Sequence, residues 1–407
     1  MLPMAYLSKL SRYATNPIEE DDAIAERLEH RGKGIIRLNK GDPAVYFPTP
    51  DYIKRAYVRA IMQGKTGYAR PGGARELVDA VIARYRRMYG LGLDGDDVVV
   101  TQGVSEALYM LNSALLDPGD RAILFKPYYT QYVPYVGLAG GREYLLDYKE
   151  SLGWGIDVDE LDRRVRKLKH KARIKYLMVT NPNNPTGTVL GRSTLKSVVE
   201  LANEHGITLV SDEIYDEIVY NGAKFTSVAT LAKGVPHVIL NGASKDFDAT
   251  GFRIGFAIVP GDDAKSASLK RKIADFASVR VSANAPAQYA VAEGMNNRKE
   301  HAKAIRSMVR EIEERVNFAV KLLGENQYLE TVRPQGAFYI FPKVDLKALK
   351  FKSDKEFVDA FLKSEYVQLT RGSGFGSPGH IRIVSLPPKG ELEAAITRLN
   401  EFCNKEA

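Results

Sequence analysis

Lys245 follows the small run Gly242-Ala-Ser244, which itself follows the apolar stretch His237-Val-Ile-Leu240. Eight residues later comes Arg253, flanked by Gly251 and Gly255. A lysine that forms a Schiff base must reach a buried carbonyl and give up its proton, so a strand end among small residues suits it. An arginine close by suits the phosphate of an aldehyde cofactor. The small residues let such a cofactor approach the backbone.

Four further segments carry groups of the right kind. Asp212 and Tyr215, in Ser211-Asp-Glu-Ile-Tyr215, follow the apolar run Ile207–Val210, and a carboxylate at a strand's carboxyl end can meet a ligand in an open α/β sheet. In Thr101-Gln-Gly103-Val104-Ser105 a strand ends, a glycine follows and a helix begins, and backbone N–H groups at a helix start make an anion site. Asn181-Pro-Asn-Asn184-Pro-Thr-Gly187 is a turn rich in Pro, Asn and Gly. In Gly379-His380-Ile-Arg382-Ile, alternation puts His380 and Arg382 on one strand face. An inward arginine needs a partner, and a substrate carboxylate accepts its planar fork. Each has a plainer reading when taken alone. Asp212 and Ser105 are then helix caps, Asn184 a turn residue, Arg382 half of an internal salt bridge, and Lys245 a surface lysine.

The elements that position these groups can be read from apolar runs and turn residues. Strands are expected at 97–101, 121–125, 175–180, 207–211, 236–240 and 252–258, with helices at 51–63, 74–89, 104–116 and 193–205 between or before them. That alternation predicts an α/β fold with a mostly parallel sheet covered by helices. The pattern changes after about residue 300. A charged amphipathic helix at 302–323 precedes short strands at 337–341 and 380–385 and helices at 354–364 and 390–403, which describes a smaller α+β domain. The expected division is 1–45 joining the small domain, 46–299 as the large domain, and 300–407 as the small one. Residues 18–31 have helical spacing, and 35–38 make a short strand.

Composition narrows the function. The chain has 407 residues, 44% hydrophobic and 27% charged, which is ordinary for a globular protein. A net charge of +8 suits anionic small molecules and does not call for nucleic acid. The basic run Arg163–Lys171 reads as a solvated helix face. One cysteine rules out an internal disulfide, and the six histidines lack metal-ligand spacing. No apolar run is long enough to span a membrane, and the N-terminus lacks the apolar core of a secretory signal, so a cytoplasmic protein is expected.

In order and spacing, these segments resemble the cofactor motifs of the class I/II pyridoxal-phosphate-dependent aminotransferases of fold type I, from about residue 30 to the end. The resemblance implies a large domain built on a seven-stranded sheet, with pyridoxal 5'-phosphate attached to Lys245 as a Schiff base. It implies that Arg253, Gly103, Val104 and Ser105 bind the phosphate and that Asp212 pairs with the pyridine nitrogen. Tyr215 and Asn184 would bond the phenolic oxygen, and Tyr129, in Pro127-Tyr-Tyr129, would stack on the ring. Tyr68, in Gly67-Tyr-Ala-Arg-Pro, would reach the partner subunit's phosphate, which implies a homodimer with shared sites. Arg382, Asn184 and Gly41, in Leu38-Asn-Lys-Gly41-Asp-Pro, would bind the substrate. Segments such as Pro334-Gln-Gly-Ala-Phe-Tyr-Ile-Phe-Pro342 are similar to the archaeal and bacterial alanine aminotransferase branch.

The implied activity is transfer of an amino group between an amino acid and a 2-oxo acid in a ping-pong cycle. Alanine with 2-oxoglutarate is the leading pair, with aspartate, aromatic donors or a same-fold β-lyase as alternatives. Two positions depart from the pattern. Asp248, three past the lysine, stands where the family usually has a small uncharged residue; it would face solvent or alter the phosphate surroundings. The N-terminal arginine of some alanine-branch members has only Arg12 near its place.

Overall fold

The structure, a computed structural model, describes residues 7–407. Its centre is a seven-stranded sheet: β1 (Val98–Thr101), β2 (Arg121–Lys126), β3 (Arg142–Asp147), β4 (Ile174–Thr180), β5 (Thr208–Asp212), β6 (His237–Gly242) and β7 (Gly255–Ile258). The spatial order is β1-β7-β6-β5-β4-β2-β3. Only β7 runs against its neighbours. The other strands are parallel, so β1, β4, β5 and β6 deliver their carboxyl ends to one edge of the sheet. Because β7 is antiparallel, its amino end lies at that same edge, with Gly255 paired between Thr101 and Gly242.

The central strands are near-continuous apolar runs, as a sheet covered on both faces requires. Two hydrophobic clusters lie on its faces, one including Leu77, Val81, Leu195 and Val291, the other Leu108, Leu111, Leu269 and Ile273. Local signals end the helices. Arg75–Tyr89 stops at Gly90, which takes φ 70°, and Ala264–Arg280 starts where the Asp263 carboxylate accepts from the N–H groups of Lys265 and Ser266.

A third cluster forms the C-terminal body. The helix Arg298–Leu323 buries Ile305, Met308, Ile312, Val316 and Leu323 at helical spacing and packs on Lys389–Glu406. There Ile381–Val384 pairs antiparallel with both Tyr339–Ile340 and Thr370–Arg371. Ile36–Arg37 pairs in parallel with Val367–Gln368, so the N-terminal segment is stitched to this body.

Several expectations change in detail. Strand β3 went unread; it is the sheet's edge, and its sequence Arg-Glu-Tyr-Leu-Leu-Asp mixes exposed charge with apolar residues. The strand expected over 252–258 begins only at Gly255, because Arg253 takes φ 55°, outside the strand region. The helix over 18–31 is two pieces, Pro17–Glu20 and Asp22–Glu29, meeting at Asp21. The long helix begins at Arg298, not 302.

Candidate active site

A cavity of about 460 Å³ opens at the shared edge of the sheet. Val104, Ser105, Tyr129, Asn184, Asp212, Tyr215, Lys245, Arg253, Gly41 and Arg382 all line it. Ten sequence-predicted positions, spread over more than three hundred residues, therefore face one space. Gly103 lies just behind it and Tyr68 lies outside it, 88% exposed in the single chain.

Lys245 leaves the end of β6 and its Nζ donates to the Gly41 carbonyl at 2.6 Å. Burial, with Arg382 and Arg253 beside it, lowers the amine to about 8 against the opposing pull of Asp42 and Asp212. An amine there can shed its proton near neutral pH, as a nucleophile or general base must.

Asp212 ends β5 and is 4% exposed. Its carboxylate accepts from the Tyr132 hydroxyl at 2.7 Å and from the Ile214 N–H at 3.2 Å. The second bond is the local turn contact that a plain capping aspartate makes; the first is not. Burial pushes the group up to about 6 against those bonds and the pull of Lys245. No arginine or lysine lies within ion-pair distance of it among the described residues. A ligand cation beside it would favour the ionised form.

Arg382 is 1% exposed and also lacks a carboxylate partner among the described residues, so the internal salt bridge is absent there. Its guanidinium lies between the rings of Tyr339 and Phe375, at 4.7 and 4.6 Å. It donates to Asn184 Oδ1 at 3.0 Å and to the Asn39 carbonyl, and Nε has no acceptor. Since a guanidinium only donates, this bond fixes the Asn184 amide with its oxygen toward Arg382 and its NH₂ turned away. A buried cation without a counter-ion is costly, and an anionic ligand bound there would offset the cost.

Arg253 lies on the helix start Gly103–Leu115. Gly103 takes φ 76°, and a Cβ there would meet the Arg253 guanidinium. The absent side chain thus lets a fixed cation lie against the first-turn N–H groups, which is a built anion site. Ser105 does not cap this helix; the capping position is Gln102, whose N–H is taken by the Glu106 carboxylate at 2.7 Å.

Three site residues escaped sequence reasoning: Tyr132, Tyr339 and Asp42. Tyr132 holds Asp212 and also bonds Thr180 Oγ1 at 3.0 Å. The Tyr339 hydroxyl bonds that of Tyr215 at 2.8 Å, and its ring lies so close to Gly41 that a Cβ at 41 would overlap it. Asp42 takes the Thr250 hydroxyl at 2.8 Å. The only signal for Tyr132 was its spacing of three from Tyr129, whose ring meets it edge-on at 5.5 Å. Asp248 is corrected. It is 6% exposed with Oδ1 unbonded, and burial pushes its carboxyl up to about 8, with Lys245 pulling the other way. It does not face solvent. Arg12, which stands only near the place of that N-terminal arginine, lies over the Tyr13 ring outside the cavity, and the N-terminal segment reaches the cavity through Asn16, Ile18 and Glu19.

The profile of the aminotransferase class I and II family matches residues 33–399. The chain belongs to that family. It is 36% identical to the glutamate-pyruvate aminotransferase AlaA of Haemophilus influenzae over 93% of each chain. It is 34% identical to the aspartate aminotransferase of Geobacillus stearothermophilus over 98% of each. The solved alanine aminotransferase of Pyrococcus furiosus superposes with a TM-score of 0.92 at 36% identity, covering 98% of this chain and all of that one. The protein is therefore an enzyme, a transaminase of fold type I acting on an amino acid and a 2-oxo acid. No helix among the described residues is long and apolar enough to cross a membrane.

Proposed function

We propose that this transaminase exchanges the amino group between alanine and 2-oxoglutarate in two half-reactions, with pyridoxal 5'-phosphate held at Lys245. The observation that carries the reading is the buried, unpaired guanidinium of Arg382 beside a lysine whose proton is loosely held. The residues fit the cofactor. Arg253 and the N–H groups of Gly103, Val104 and Ser105 suit a phosphate, Asp212 suits a protonated ring nitrogen, and Tyr215 and Asn184 suit an oxyanion on the ring. Tyr129 flanks the flat group. When bound, the cofactor supplies an electrophilic carbonyl and an electron-withdrawing ring. The chain's own part is to bind the substrate carboxylate at Arg382 and Asn184, close Gly41 over it, and move the α-proton with the Lys245 amine.

Small alanine leaves room in the cavity, and the likeness to alanine and glutamate-pyruvate enzymes supports this pair. Aspartate is the runner-up on the strength of the Geobacillus relative. The assembly we propose is a homodimer with Tyr68 reaching the partner's phosphate. Exposed Tyr68, Tyr109, Val279 and Val281 support it, gathered around Arg280, which bonds the Pro71 carbonyl and Glu106. The two-domain division at about residues 46 and 300 and a cytoplasmic location complete the reading; the sole cysteine, buried Cys403, suits a reducing compartment.

The deciding experiment mixes purified protein loaded with pyridoxal phosphate with alanine, aspartate and aromatic donors. Pyruvate release and a shift of the visible spectrum are expected with alanine. A spectrum that stays fixed with every amino acid overturns the reading, and ammonia or thiol release from cysteine-type substrates replaces it with a β-lyase.

A further inference from the structure

Behind the cavity, four ionisable side chains meet. Arg84, on the helix Arg75–Tyr89, is 2% exposed. Its Nη2 reaches Asp216 and Glu217 at 2.9 Å and Asp246 at 3.3 Å. One guanidinium cannot balance three carboxylates, two of them buried. Asp246 is also the hydrogen-bonding neighbour of Asp216, and its Oδ1 has no other donor. Two carboxyl groups so close hold one proton between them. Burial and Asp216 push Asp246 well above its ordinary range; burial works against ionised Asp216 too, but the Arg84 charge together with hydrogen bonds from Asp246, Arg84 and Tyr89 holds that group below its ordinary range. Asp246 is thus the neutral member of the pair. Facing the cluster are Tyr85 and Tyr89 from Arg84's own helix, Glu213 from the turn after β5, and His301.

Each acid is attached to a different part of the catalytic apparatus. Asp246 directly follows Lys245, and Asp216 directly follows Tyr215. Glu217 bonds His301 Nε2 at 2.7 Å, in the first turn of the long C-terminal helix, and the His301 ring stacks on Phe247 at 4.3 Å. Tyr89 adds a hydroxyl to Asp216. Lys245 and Tyr215 thus hang from one buried knot whose other end is the C-terminal body.

We propose that Arg84, bridging Asp246 and Asp216 through Nη2, is a positioning unit that fixes the Lys245 loop against the Tyr215 turn for the transamination reaction. It rests on the functional reading above. None of its members touches the cavity; they act through Lys245 and Tyr215.

The test uses the cofactor-loaded enzyme with D246N, D246A, R84K and R84M. Three signals are read: the visible circular dichroism of the lysine-bound cofactor, the pH midpoint of its absorbance, and the single-turnover rate with alanine, at a temperature where every variant is folded. D246N keeps a neutral donor, so it stays within twofold of the parent in rate, with the same dichroism and midpoint. D246A and R84M lose at least half of the dichroic band and at least tenfold in rate. R84K, which keeps a point charge where Nη2 stands, recovers more than half of the band. If D246A and R84M lower only the melting temperature, the proposal fails. It fails equally if D246N moves the pH midpoint as far as D246A does. Should R84M not fold, D246A and R84K decide by the same criteria. A parent protein showing no visible absorbance with pyridoxal phosphate overturns the functional reading and this proposal with it. A parent that absorbs, with variants indistinguishable from it, overturns the proposal alone.

Discussion

Arg382 and Arg84 are both buried arginines close to Lys245, and their surroundings are opposite. Arg84 has three carboxylates within 3.3 Å; Arg382 has two carbonyl oxygens, two aromatic faces and no acid. A buried charge is retained either because the protein itself neutralises it or because a ligand does. The first kind holds parts in place. The second leaves free energy to be recovered when the right anion arrives. Burial alone therefore does not separate architecture from function; the presence or absence of a counter-charge does.

The sharpest break in that comparison comes from Lys245. Lys245→Ala removes the amine proposed to move the α-proton, so the alanine half-reaction slows by roughly 10⁴-fold while folding is spared, read by stopped-flow absorbance and calorimetry. Arg382→Met comes next. The KM for alanine rises by about 10²–10³-fold, since a buried charge pair with the substrate is lost, at roughly 2–5 kcal/mol. Its Tm holds or rises because an uncompensated charge has gone, whereas Arg84→Met lowers Tm. Equal loss of Tm in both would erase the distinction drawn here.

Asp212 sharpens the same contrast through pH. Its folded-state pKa, about 6, lies above its ordinary value of 3.8, so between those limits the folded protein binds more protons than the unfolded chain. Stability of the cofactor-free protein contributed by this group therefore falls as pH rises from about 4 to about 6. Asp212→Asn removes that component, detectable by urea titrations across the window, and weakens catalysis in the loaded enzyme. The smallest effect is expected of Tyr339→Phe. It deletes one hydroxyl contact to Tyr215, worth about 0.5–1.5 kcal/mol, and so costs no more than about tenfold in rate.

The sequence announced the groups whose chemistry depends on local context. Asp212 ends a strand, and Gly103 and Lys245 follow one within two or three residues; a strand end followed by small or turn residues is visible in one dimension. The partners that tune them are not. Tyr132 meets Asp212 across 80 residues and Tyr339 meets Tyr215 across 124, and nothing beside either tyrosine marks the contact. Arg84 sits in a helix whose neighbours Arg86 and Arg87 are also basic, so its inward turn is set by packing and not by composition. Strand β3 was hidden because an edge strand has a weak apolar pattern. Asp248 drew notice as a charged residue in the lysine motif, but its burial follows from a left-handed turn, φ 48°, that residue type does not reveal.

The short stretch Asn39–Gly41 offers its carbonyls to both Arg382 and Lys245. An arriving carboxylate must therefore win the Arg382 cation from main chain that is anchored next door to strand Ile36–Arg37. Weak, monodentate anions gain too little to unseat such acceptors. A bidentate carboxylate on the Arg382 fork can replace the Asn39 carbonyl, so the resting protein screens its visitors before any bond is made or broken.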